Sequence, residues 1–187
     1  MSWSPLTSRA TAATNDHRRR PARLAALAAT AMLVTNGFVA LAGDVDEHTT
    51  GLGLVSEVTA GLAFLAGAVA LALIVPVTGW RALLWWLAPT GMTLAGLTMV
   101  SVPVAGSEPP DWLFVLAVLP TFVGLVAAGV LGTGRRWPWW TGAGVAAFLP
   151  IMFLLPPFAN GFGMALVWLA VALAADPGPA PLPAVAD

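Results

Sequence analysis

Lysine and cysteine are both missing from this chain, and charge of either sign is scarce. Without Cys there are no disulfides, no thiolate metal sites and no cysteine nucleophile. All eight basic residues are Arg, so a retinal or pyridoxal Schiff base has no amine to form on. The histidines are His17 and His48 only, a pair unsuited to a bis-His haem inside a bilayer. Charged residues make up 9%, against about 25% in soluble domains. The net charge of −1 gives no electrostatic footprint for nucleic acid. No Walker loop, strand-borne GxGxxG, GxSxG elbow or HExxH is present. No cofactor is implied, and no characterised family is recognised in these motifs.

What is abundant is apolar sequence: 58% of the residues, with a mean hydropathy of +0.84. That is too little polar surface to coat a soluble globule, and enough for several bilayer crossings of about 20 residues each. The pattern predicts an all-α polytopic transmembrane bundle without a soluble domain. Residues 1–21, rich in Ser, Thr, Ala and Arg, read as a disordered cytoplasmic tail. A six-helix membrane domain follows over 22–175, with spans at about 24–42, 51–75, 82–104, 112–131, 139–155 and 158–175. Residues 176–187 (DPGPAPLPAVAD) read as a second disordered cytoplasmic tail.

Two alternatives attach to this reading. The Arg-rich start and Ala40-Leu41-Ala42 also fit the n-, h- and c-regions of a cleaved signal peptide, although the apolar run is long for one. Pro150 permits a kinked fifth span or a re-entrant segment over 139–175.

Charge tests the count. With six spans and both termini inside, the N-terminal arginines, Arg81 and the Arg135-Arg136 turn all share the inner side. Asp44, Asp46, Glu47, Glu108 and Asp111 fall outside with no Arg among them, as the positive-inside rule requires. Trp80, Trp85, Trp86, Trp137, Trp139 and Trp140 read as an inner aromatic belt, with Trp112 at the outer interface. The expected location is the plasma (inner) membrane.

Within 51–75 there is one ionisable side chain, Glu57. A carboxylate in a membrane span is costly, so its default reading is functional. Its helix neighbours three and four away include Gly53, Ala60 and Gly61, a small face that turns Glu57 into the bundle. At about 1.5 Å rise per residue Glu57 lies roughly 9 Å outward of its span's middle. Asn36, Thr98, Ser101 and Asn160 reach a similar level. Glu57, Asn36, Asn160, Ser101 and His48 are therefore the candidate ligand- or ion-binding residues, with no catalytic residue named.

The loop Asp44-Val45-Asp46-Glu47-His48 has metal-binding chemistry. Its spacing fails an EF-hand, because Thr49 and Val55 stand where Gly and Glu are needed. A solvated acidic loop is expected, and no metal. His48, beside acidic neighbours, makes that face responsive to pH. Asn36-Gly37-Phe38 recurs as Asn160-Gly161-Phe162, too short to establish a repeat.

Three functions compete. The first is a small transporter or permease-like protein with an outward-facing polar cavity at Glu57. The second is a non-catalytic membrane subunit or sensor, packed on a membrane-protein partner or on a second copy, with Glu57 merely fixing helix register. The third, an intramembrane enzyme using Glu57 and His48 as acid and base, lacks a nucleophile. The chain is thus more readily a non-enzyme, and its small-molecule or ion ligand is not specified by the sequence.

Overall fold

The computed structural model describes residues 5–107 and 109–175, with side chains described from Arg18 onward. The chain is all-helical, with no strand among the described residues. In order come α1 (Pro5–Ala42), α2 (Gly51–Leu73), α3 (Trp80–Ala105), α4 (Asp111–Gly132), α5 (Trp139–Ala146), α6 (Phe148–Leu154) and α7 (Pro157–Ala174). Five helices are long and apolar enough to cross a membrane: α1 from Arg18 onward, α2, α3, α4 and α7. This is the architecture of a membrane protein.

Two expectations are corrected. The predicted span over 139–155 is not one helix but two, α5 and α6, broken at Ala147 (φ −84°, ψ 0°). The cause is Pro150, which has no N–H and whose ring crowds the carbonyl of Ala146, four residues back. The Ala147 amide still bonds Ala143 at 2.9 Å, and the next bond across the break joins Ile151 to Ala147 at 2.9 Å. The 16 residues from Trp139 to Leu154 reach about 24 Å, short of the roughly 30 Å hydrocarbon layer. The second correction lies at the N-terminus, where 5–21, expected as a tail, belongs to α1. Alanine and arginine are strong helix formers, and the helix continues back across Pro21, which lacks an N–H and so forfeits one backbone bond there. Residues 1–4 and 176–187, and with them the predicted C-terminal tail, lie outside the described residues, as does Glu108.

The helices close into a ring in chain order: α1 on α2, α2 on α3, α3 on α4, α4 on α5, and α5 and α6 on α7, which returns to α1. Gly37, late in α1, meets Gly161, early in α7, so these two helices run antiparallel. The α5–α6 pair therefore carries the chain from the end holding Arg135 to the end holding Asn160.

Close approach in lipid depends on small residues. A β-carbon on Gly61 would sit 2.9 Å from the Gly96 carbonyl oxygen, which joins α2 to α3 backbone to backbone. One on Gly124 would overlap the Ala88 backbone, which does the same for α3 and α4.

The aromatic belt divides. Trp80, Trp112 and Trp139 are largely exposed, in keeping with interfacial anchoring. Trp85 and Trp137, expected among the anchors, are buried. Their rings stack at 5.6 Å, and the Trp85 indole N–H donates to the Leu71 carbonyl at 3.0 Å, satisfying an end group of α2.

Candidate functional site

The acidic loop folds back over the first turn of α2. Gly51 turns the chain with φ +58°, a conformation that suits glycine. Gly53 lets the Glu47 carbonyl lie where any β-carbon would clash. Within the loop, the Thr49 hydroxyl and amide both donate to the Glu47 carboxylate. Those two bonds hold its carboxyl below the usual carboxylate range. The Asp46 amide donates to Asp44 at 2.9 Å. So tied down, the loop presents His48 to α2, with His48 Nδ1 3.4 Å from Glu57 Oε2. Nδ1 is buried and has no hydrogen bond at that geometry, so the imidazole and the carboxyl group are held in contact without one.

Glu57 and His48 stand at one end of a cavity of about 290 Å³ between α2, α3, α4 and α6. Asp111 lies at the same end, at the first residue of α4. From there the cavity runs inward past Thr98 and Phe114 to Phe64 and Thr121. Ten residues of helix separate Asp111 from Thr121, so it penetrates about 15 Å along α4. Most of the remaining wall is apolar, with Met99, Val118 and Met152 among it. Glu57 is 18% exposed and lines the cavity.

The other candidates are placed differently. Asn36 is buried between α1 and α2 rather than in the cavity. Its side-chain amide donates to the Ser56 carbonyl at 2.8 Å, the Ser56 hydroxyl at 2.9 Å and the Thr59 hydroxyl at 3.3 Å. It thus grips the turn of α2 that carries Glu57. Asn160 donates to the Met152 carbonyl at 3.1 Å, clasping α7 to α6. That carbonyl is free because α6 ends two residues later. Ser101 is exposed and bonds back to Thr98 within α3. The expected polar layer therefore divides. Glu57 and His48 line the cavity, Asn36 and Asn160 brace its walls, and Ser101 does neither.

The recurring Asn-Gly-Phe tripeptides meet face to face. Gly37 packs on Gly161, and Phe38 meets Phe162 edge-on at 5.2 Å. They lie on the first and last membrane helices, which do not correspond in a three-plus-three repeat. The likeness marks one packing contact.

No family model, curated protein or solved structure matches this chain.

Function thus rests on the site's own chemistry. Among the described residues no three acidic or imidazole side chains converge to hold a metal. The Thr98 and Thr121 hydroxyls donate to helix carbonyls at 2.7 Å each, so neither is poised as a nucleophile. Sequence reading missed Asp111, taken as a loop charge, and Thr121. A threonine in a span gives little signal, because its hydroxyl can be satisfied by its own helix. Here the Thr121 backbone also sits against Gly91, with no space for a β-carbon between them.

One outcome follows from the Asn36 geometry. Asn36→Leu removes three interhelical donations and leaves the Ser56 and Thr59 hydroxyls to their own helix. The expected loss is roughly 0.5–2 kcal/mol, read as a lower thermal midpoint in mild detergent with assembly retained. An unchanged midpoint would show that Asn36 does not hold α1 to α2.

Proposed function

We propose that the protein is a small permease-like membrane protein. Its cavity receives a largely apolar solute carrying a positive charge or a strong hydrogen-bond donor. Glu57 accepts that polar end and exchanges its proton with His48. The observation that carries this reading is the juxtaposition of one carboxylate–imidazole pair with a deep, mostly apolar cavity. An intramembrane acid held solely for register has no need of the space beside it.

In this reading α5–α6 is a sixth, broken crossing. Both termini lie with the arginines on the inner face of the cell membrane, and the cavity opens outward beneath the acidic loop. A broken helix at membrane depth is tolerated where protein or a cavity covers its backbone, and Leu149 and Met152 of α6 line this one.

The test is reconstitution into vesicles with an internal pH indicator and a panel of small organic amines. Wild-type protein is expected to couple amine movement to proton movement. Vesicles that move neither would overturn the permease reading. A stoichiometric membrane partner retained in mild detergent would then establish the subunit reading in its place.

A further inference from the structure

At the opposite end of the bundle, two arginine pairs distant in sequence come together. Arg18 and Arg19 of α1 and Arg135 and Arg136 of the α4–α5 turn line one basin of about 120 Å³. The ends of α2 and α7 floor it, and the Trp137 indole forms a wall. No described residue lining it is acidic. The positive-inside rule places arginines on this face but gives no reason for them to converge.

Convergence is unfavourable by itself. A guanidinium does not shed its charge to relieve repulsion. Burial first, and then the charge of Arg19, push the Arg136 guanidinium below its ordinary value. Helix carbonyl ends offset part of this: Arg135 Nη1 donates to the Leu131 carbonyl at 3.2 Å, and the C-termini of α2 and α7 carry partial negative charge. Arg136 gains less from them, since its Nε is buried without an acceptor. The basin has donors and charge in excess of what the described residues satisfy.

We propose that this basin binds the phosphate group of an anionic phospholipid, with Arg19 and Arg136 as its principal donors. Forked guanidinium groups match the paired oxygens of a phosphodiester. The height is also right: the basin lies where α2 and α7 end and where Trp80 and Trp139 are exposed, at the level of phospholipid headgroups. This site does not depend on the Glu57 cavity or on transport.

The experiment uses full-length protein in nanodiscs of phosphatidylcholine alone or mixed with phosphatidylglycerol. Lipid retention is read by native mass spectrometry and stability by thermal melting. Wild type is expected to retain phosphatidylglycerol and to melt several degrees higher with it. Arg19→Gln/Arg136→Gln should lose that retention roughly tenfold or more. In phosphatidylcholine alone it should melt no lower than wild type, because like-charge repulsion is relieved. Arg81→Gln removes a charge from the same face outside the basin and should change neither readout. Should the double variant fail to fold, Arg18→Gln at the exposed rim provides the same comparison with a partial loss. Inorganic phosphate separates the sources. Displacement of lipid by millimolar phosphate would assign the basin to a soluble phosphate and overturn the lipid assignment, whereas indifference to it supports the lipid. Equal retention by wild type and the double variant, or an equal loss in Arg81→Gln, would overturn the site.

Discussion

Glu57→Gln is expected to abolish amine-coupled proton flux and to weaken amine binding by about 3- to 10-fold, while the protein still assembles. The substitution keeps the shape and removes the charge. A hydrogen bond to a charged group is worth about 1.5–3 kcal/mol, roughly twice a neutral one, and each 1.4 kcal/mol is about tenfold in affinity. The substitution also removes the carboxylate that lies 3.4 Å from His48 Nδ1. Assembly is expected to survive because Asn36 holds α1 to α2 through Ser56 and Thr59, not through Glu57. Stopped-flow proton flux and equilibrium binding on the same preparation separate the two effects. A variant that fails to assemble would assign Glu57 to helix register, the role the subunit reading gives it.

The largest structural effect is expected from Gly124→Val. A side chain there has to displace the Ala88 backbone of α3, not the movable end of a neighbouring side chain. Overpacking costs about 1–3 kcal/mol in cores that can relax. At a backbone contact between two membrane helices the expected cost is about 3 kcal/mol or more, with loss of the folded form in mild detergent. The matched control is Gly144→Ala, whose β-carbon would meet only the Val167 side chain at 3.5 Å, an ordinary contact. Its effect should stay within about 1 kcal/mol. Equal stability of Gly124→Val and wild type would mean that α3 and α4 do not approach as described.

The helical class and five of the membrane helices were readable from apolar run length alone, because in lipid a helix must satisfy its own backbone. The break in 139–154 was half readable. Pro150 announces a fault, but whether the helix bends or stops depends on what packs against it. The site was legible in its cost and not in its geometry. A lone carboxylate in a span points to itself, and His48 came with it as the loop residue overhead. Shared depth, however, places groups on a level and not on a side. Asn36 and Asn160 do share a depth with Glu57, yet each faces a helix seam, and Asp111 and Thr121 on α4 complete the cavity wall. The small face of Gly53, Ala60 and Gly61 indicated that Glu57 turns into the bundle. It did not tell which partner each face meets, so the basin of Arg18, Arg19, Arg135 and Arg136 was invisible until α1 and the α4–α5 turn were seen together.

The central claim is that water and solute reach the Glu57 cavity from the acidic-loop end. The absence of cysteine makes a direct measurement simple: single-cysteine variants in sealed vesicles, treated from one side with a membrane-impermeant thiol reagent. Thr98→Cys lines the cavity below Glu57, Asp46→Cys marks the exposed loop, and Met92→Cys lies in the sealed core. Labelling of Thr98→Cys from the same side as Asp46→Cys, with Met92→Cys unreactive, is the predicted result. Thr98→Cys as inert as Met92→Cys, or labelled only from the arginine side, would contradict it.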